Sequence, residues 1–459
     1  MADQQQSSAT PQSATEQPWP NPRQAWYAVG VFALVLMLNF LDRGIVGLLV
    51  QPLKTDMGLS DSQVAMIMGL AFAVFYAIVG LPIARLADSR SRRTIIGVGL
   101  ATWSFMTALC GLAQNFVQLF VCRMGVGVGE ACNGPATFSM LADFFPSDKL
   151  GRAAAVLNFG FTTGQGLSLI LGGAVIHALS STPQMTLPLL GTIHSWQLTF
   201  MVVGIPGLLV ALLLRTVVEP PRRGRMSGTI AAGSGPVRNL PLADVLRFVI
   251  ANRRSYGPMF LGLALQTMLA FGVGGWTPTF FVRTYQWTVP EAALAQGLIF
   301  LLVWPIGLIP GSLVAEWLTK KGYADANLRW TIIVQAIFVP LAAITPLMPT
   351  AGWALTLMAL QGFVASFSIG PQNAALQVIT PGEMRGQITA FFLFMFNIIG
   401  FGLGPSIVAL FTDKVFHDES MLRYSLATTV AILGPLAVIT LWSGLKAYGK
   451  SALQARAWH

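Results

Sequence analysis

Asp42 and Arg43 stand together in one apolar stretch of the chain, and Arg123 and Glu130 in another. Both stretches are long enough to cross a bilayer, and an ionised group at mid-bilayer costs about 3 kcal/mol or more unless it is paired or faces a wet cavity. Two acids and two arginines at that level suit one kind of chemistry. A carboxylate that loses its arginine partner in less polar surroundings takes up a proton, and a freed arginine can hold an anionic group. Arg123 and Glu130 are seven residues apart, so in a helix they share a face about 10 Å apart along the axis. Asn39 and Arg43 share a face of the earlier helix, with Asp42 one step round it. Counted from the helix ends at about 1.5 Å per residue, Asp42 lies about 13 Å deep, Arg123 about 10 Å and Glu130 about 21 Å. These depths allow an Asp42 to Arg123 contact and let Arg43 reach toward Glu130. Two readings follow: Asp42 and Glu130 exchange a proton while Arg43 and Arg123 hold them or an anionic head group, or the four form a permanent set that only fixes helix packing. Which acid carries the proton stays open.

The elements that must position these residues are membrane helices. The 459 residues are 54% hydrophobic and 10% charged, far from the quarter charged of soluble domains. Twelve stretches can each supply the ~20 apolar residues that a bilayer requires: 25–51, 64–87, 94–113, 116–144, 150–178 and 195–216, then 256–281, 291–318, 328–348, 351–379, 386–411 and 424–446. Residues 1–24, rich in Gln, Ser, Thr and Pro without the features of a signal peptide, read as a disordered cytoplasmic tail. Residues 25–218 form a first six-helix unit, 219–254 a basic, Gly/Ser-rich cytoplasmic linker, and 255–459 a second six-helix unit. With both termini cytoplasmic, 22 of the 28 Lys and Arg residues fall inside, and only Lys54, Arg283, Lys414 and Arg423 fall outside. The charge of +10 is thus an orientation signal, with contact to anionic membrane lipid, and not a nucleic-acid footprint.

The two units also repeat each other. A shift of 228 places Pro82 on Pro310 and Asp88 on Glu316, and a shift of 235 or 236 places Gly151 on Gly386 and Gly164 on Gly400. Parallel repeats of this kind build transporters whose halves rock about a central site. The loop after the second stretch reads Ala84-Arg-Leu-Ala-Asp88-Ser-Arg90-Ser-Arg92-Arg93. It resembles the G-x-L-A-D-R-x-G-R-K signature of the major facilitator superfamily, with Ala84 and Ser91 replacing two glycines. Asp88, Arg92 and Arg93 are then expected to latch the cytoplasmic ends of adjacent helices through charge-assisted bonds. The resemblance implies an all-α integral membrane protein of major facilitator fold, twelve transmembrane helices in two pseudo-symmetric bundles, with the first, fourth, seventh and tenth around the cavity. Asn39-Phe-Leu-Asp42-Arg43, Leu59-Ser-Asp61-Ser-Gln63 and Arg123-Met-Gly-Val-Gly-Val-Gly129-Glu130-Ala131 further resemble the spinster-like branch, which handles sphingolipids and lysolipids. Past Glu130 the chain departs from that branch, with Cys132-Asn133-Gly134-Pro135 in place of a hydroxyl-rich run.

In the second half the membrane-level polar residues are mostly neutral, and Gln361, Gln372 and Asn373 join Asn39 as candidates to line a substrate cavity. Trp276, Trp287, Trp304 and Trp330 are expected at the membrane interface. Gly125 and Gly129, like Gly160 and Gly164, are spaced for close helix packing, and no strand precedes them to make a nucleotide loop. Cys110, Cys122 and Cys132 read as inert buried thiols, His177 and His194 lack the companions of a metal site, and no nucleophile–base arrangement marks an enzyme. The expectation is a secondary active transporter without cofactor or metal, proton-coupled and working as a monomer, that moves a small lipid-like or amphiphilic substrate, anionic or not, by alternating access. The rivals are a permease for small organic acids, a multidrug exporter of the same fold, and a membrane receptor or scaffold that does not transport. Its place is the cell membrane, and the inner membrane if the source is bacterial.

Overall fold

The computed structural model describes residues 19–181, 184–187, 191–222 and 241–455. Residues 1–18 and 223–240, which hold most of the expected tail and linker, lie outside the described residues. The chain is a set of apolar helices, because a bilayer offers no water to satisfy backbone groups and the helix pairs them internally. Span one is Pro22–Leu48, opened by Asn21, whose side chain accepts from the Arg23 N–H at 2.9 Å. Nine more helices have the length and apolar character to cross a membrane: Asp61–Gly80, Arg92–Cys110, Ser195–Thr216, Arg253–Tyr285, Val289–Lys320, Ala326–Leu347, Ala351–Val378, Gly382–Phe416 and Glu419–Ala455. They are spans two, three, six and seven to twelve. Span five is Ser147–Leu179. Span four is broken into Phe116–Glu130 and Asn133–Phe144. Pro135 brings no N–H to the ladder, so the helix lets go just before it. A two-stranded antiparallel hairpin, Gln184–Leu187 with Gly191–His194, sits between spans five and six and is the one sheet among the described residues.

The halves echo each other beyond the repeats noted above. Ser60 and Gln63 make a capping box at the start of span two, and Thr288 and Glu291, 228 residues on, make one at the start of span eight. Span ten breaks between Ser366 and Ile369, beside Gly370-Pro371, as span four breaks beside Gly134-Pro135, 236 residues earlier. Each of spans two and eight also contains a π turn, Met66–Leu70 and Ile299–Val303.

The face carrying Arg85 to Arg93 is here called the basic face, and the other the opposite face. Toward the opposite face the halves pack tightly. Span five meets span eight where a Cβ on Gly166 would lie 2.6 Å from the Gly297 carbonyl oxygen and 2.9 Å from the Leu301 nitrogen. Span one meets span seven where a Cβ on Gly47 would lie 2.9 Å from the Gly275 carbonyl oxygen. Both neighbours are backbone and cannot step aside. Gly166→Ala is therefore expected to weaken the packing of the halves by about 1–3 kcal/mol, read as a lower thermal midpoint in detergent. A midpoint equal to the parent's would show that the helices are not in contact there. Within the first half, Gly160 and Gly164 face Ala33 and Met37 of span one, as their spacing led one to expect.

Candidate functional site

Span one delivers Asn39, Asp42 and Arg43, and the first segment of span four delivers Arg123 and Glu130. The structure brings all five together. Asn39, Asp42, Arg123 and Glu130 are buried, with Arg123 fully so, while the Arg43 side chain keeps 16% of its surface. Arg43 Nε donates to Glu130 Oε2 at 2.7 Å, the contact that helix depth allowed. Its guanidinium lies 4.5 Å from the Phe72 ring centre and 5.4 Å from those of Tyr76 and Phe401. Phe401 belongs to span eleven, so Arg43 is where the charged group touches the second half.

Arg123 departs from expectation. Its Nη1 donates at 3.0 Å to the backbone carbonyl of Asp42 and not to the carboxylate. Asp42 Oδ1, Glu130 Oε1 and Arg123 Nε and Nη2 are buried without a hydrogen-bond partner. Trp103 Nε1 and Thr107 Oγ1 of span three lie beside the Asp42 carboxyl and act on it as donors, though outside full hydrogen-bond geometry. Buried polar atoms in native proteins are nearly always bonded. A group with open hydrogen-bonding capacity can accept a proton or bond a polar atom brought to it.

The second-half candidates do not gather at this group. Gln372 Nε2 donates to Gln266 Oε1 at 3.0 Å and to Ser368 Oγ at 2.8 Å, tying span ten to span seven. Asn373 is exposed. Gln361 is buried among Val273, Thr277, Met358 and Leu426, inside the second half. Trp276 is not an interface anchor: it is fully buried, and its Nε1 donates to the Pro405 carbonyl at 3.0 Å.

At the basic face the Asp88 side chain lies outside the described residues. Arg92, almost fully buried, donates from Nε to Glu219 Oε1 at 3.0 Å, from Nη1 to Ser139 Oγ at 3.1 Å and to Asp143, and from Nη2 to the Pro220 carbonyl at 2.9 Å. The Arg93 N–H donates to Glu219 Oε2 at 2.8 Å and its Nη1 to the Val217 carbonyl at 3.1 Å. The arginines thus tie spans three, four and six within one half. Burial raises the Glu219 carboxyl, but the Arg93 N–H, the Arg92 guanidinium, Ser91 and the Arg92 N–H together hold it below the usual carboxylate range. A carboxyl lowered in the folded state stabilises fully above its unfolded value of about 4.3 and loses that contribution as pH falls through the folded value. Glu219→Gln is expected to lower the thermal midpoint near pH 7, with the gap to the parent closing in the acid range below about pH 4. A gap that stays constant with pH would remove the charge from the account.

The sequence pattern of the Major Facilitator Superfamily matches residues 32–405. This chain belongs to that superfamily. The facilitator is a multi-pass membrane transporter, and it resembles the spinster-like branch. A solved bacterial homolog of the human lysosomal transporter Spinster, in an inward-facing and unoccupied conformation, shares its fold with a TM-score of 0.76 and 24% identity, over 95% of this chain and 99% of that one. An MFS-type efflux pump of Mycolicibacterium smegmatis is 25% identical over 94% of this chain and 95% of its own. A probable L-galactonate transporter of Escherichia coli is 26% identical over 71% of this chain and 69% of its own.

The facilitator has a second charged group that reading the sequence missed. At the opposite face Arg283 of span seven grips Asp61 of span two, Nη1 to Oδ2 at 2.7 Å and Nη2 to Oδ1 at 2.9 Å. Lys54 also pairs with Asp61 and reaches Glu419 at 2.7 Å, and Arg283 reaches Glu419 at 3.2 Å. The four close a ring across the two halves. Beside it the Ser62 N–H and hydroxyl donate to Asp413 Oδ2 at 2.7 and 2.6 Å. The signal was present in the charge count, since Lys54 and Arg283 are two of the four basic residues on the side where the charge rule expects few.

Proposed function

We propose that the protein is a proton-coupled carrier of a lipid-like or amphiphilic anion that works by alternating access, with Asp42 and Glu130 as the proton-exchanging pair. One observation carries this reading: the intramembrane charges are close but incompletely bonded, with Asp42 Oδ1, Glu130 Oε1 and two Arg123 nitrogens lacking partners. A permanent structural set gains from having every buried charge and polar atom satisfied, because each one left open is costly at low dielectric. A set that exchanges partners between two states tolerates gaps in each. Arg43 supports the reading further. It is the one member of the quartet with remaining exposure, and it lies under Phe401 of the other half, so rocking of the halves changes its surroundings directly. The ion-pair ring and the glycine contacts join the halves at the opposite face, so on this reading access to the site is from the basic face. That face is the cytoplasmic one by the charge rule, in the inner membrane if the source is bacterial.

Asn39 is the polar contact that span one offers a substrate, and Gln361, Gln372 and Asn373 join it only if span ten turns in the other state. Arg92 and Arg93 act as a brace that keeps the basic end of the first half rigid while it rocks. A second reading, a permease for small organic acids, draws on a relative's name, the probable L-galactonate transporter, and on the two arginines that an organic anion would need. Full-length protein in liposomes with an imposed pH gradient, offered lysolipids, sphingoid phosphates and sugar acids in turn, separates the two. Proton-driven flux of the amphiphiles alone is the expected result. Flux of sugar acids alone would replace the first reading by the second, and binding without flux would overturn both.

A further inference from the structure

On the basic side of the second half, the start of span seven packs against the end of span twelve at Gly444 and Pro258, and beside that contact lies an open groove of about 370 Å³ lined by Arg254, Pro258, Ser443, Lys446, Ala447 and Lys450. That volume lies within the roughly 300–1,000 Å³ of small-molecule sites. Among the described residues lining it, three are cationic and none is acidic. Asp325, which packs against Gly449 of span twelve, is already taken by Arg329 at 3.0 and 2.8 Å. Arg254 stands in the first turn of span seven, a turn with no acid, where a cation is disfavoured by the helix dipole. The Ser443 hydroxyl already donates to the Thr440 carbonyl at 2.7 Å, so the three cations are the available donors.

What lies below the groove says which anion fits. Ile439, Trp442, Lys446 and Lys450 follow one another at helical spacing along one face of span twelve, and Ile439 and Trp442 are 65% and 64% exposed. On span seven, Leu261 is two turns in from Arg254 and is 46% exposed. Charge at the head, an indole one turn lower and bare aliphatic surface beneath is the order of an anionic phospholipid at the membrane surface, phosphate outermost and acyl chains running inward. We infer that this groove is a binding site for the phosphate group of an anionic phospholipid, held by Arg254, Lys446 and Lys450, apart from the transport site. The shared chemistry is that of any phosphate; the apolar stripe assigns it to a lipid.

The test uses the full chain purified in neutral detergent, with phosphatidylglycerol, phosphatidylcholine and inorganic phosphate as separate probes, read by native mass spectrometry and by thermal midpoint. Phosphatidylglycerol is expected to stay bound and raise the midpoint. Carrying Arg254→Gln, Lys446→Gln and Lys450→Gln together should weaken that binding about 100-fold, roughly fivefold per charge removed. A variant carrying Lys149→Gln, Arg152→Gln and Lys320→Gln removes equal charge from exposed positions on the same face and should bind like the parent. Equal weakening in both variants would reduce the effect to net charge. Equal retention of phosphatidylcholine, or protection by inorganic phosphate as strong as by the lipid, would overturn the assignment.

Discussion

Exchanging Lys54 and Asp61 for one another, as Lys54→Asp with Asp61→Lys, is expected to open the opposite face of the transporter. The ring there holds two kinds of pair. Lys54–Asp61 lies within the first half and Arg283–Glu419 within the second, whereas Arg283–Asp61 and Lys54–Glu419 cross between them. When the halves part, the crossing pairs break but each half keeps an internal pair, so neither is left with an uncompensated charge. The exchange preserves the internal pair of the first half and turns both crossing contacts repulsive, with a cation facing Arg283 and an acid facing Glu419. Asp61 has no exposed side-chain surface and Arg283 keeps 7%, so that crossing contact carries most of the effect; Glu419, half exposed at 52%, adds little. Breaking a buried pair costs about 3–5 kcal/mol, enough to turn a closed majority into an open one. The matching exchange in the second half, Arg283→Glu with Glu419→Arg, should act alike, and all four substitutions together should restore closure. The readout is the distance between labels on the two halves at the opposite face. If the fourfold variant is as open as either double one, the ring does not set the equilibrium.

Neutralising the intramembrane acids should have an effect of comparable size on pH response. Under the proposed coupling, a proton taken up in one state and released in the other would make the ratio of the two states vary by at most about tenfold per pH unit for each proton. With Glu130→Gln or Asp42→Asn the acid that binds the proton is gone, and that dependence should flatten, measured by fluorescence between labels on the two halves from pH 5 to 8. The two variants need not be equal. Glu130→Gln also removes the charge that Arg43 holds at 2.7 Å, leaving a partly buried arginine to seek another anion, whereas no arginine is hydrogen-bonded to the Asp42 carboxylate and Arg123 contacts that residue through its backbone carbonyl. Asp42→Asn should therefore keep the structure closer to the parent's and report on the proton alone. Should both variants track pH as the parent does, the coupling role of these acids is lost and the permanent-packing reading takes its place.

The location of the charged site was legible because its warrant is local. Asp42, Arg43, Arg123 and Glu130 announce themselves by standing in apolar runs, and helical spacing with depth was enough to pair Arg43 with Glu130. The same arithmetic left Arg123 with two equally deep targets on Asp42, the carboxylate and the carbonyl. Only the rotation of span four about its axis selects the carbonyl. The break in the fourth span was not anticipated, since 116–144 reads as one continuous apolar stretch despite Gly134-Pro135, and neither was the answering break at Gly370-Pro371. Trp276 misled because an indole near a helix end usually marks the interface, and here the Pro405 carbonyl supplies an internal acceptor.

What the amino-acid sequence determined by itself was the helical membrane fold, the division into two related halves, and the family. Each of these rests on sums over neighbouring residues: transfer free energy along a span, likeness at a fixed shift. Tertiary structure alone decided the ring that closes the opposite face and the gaps left around Asp42. Asp61 and Arg283 are 222 residues apart, and Lys54 and Glu419 lie farther apart still. Nothing in either stretch of chain specifies its partner. The pairing follows from how two rigid bundles dock, which is fixed by shape at backbone contacts such as Gly166 on Gly297, and a single turn of one helix would put different side chains in the same place.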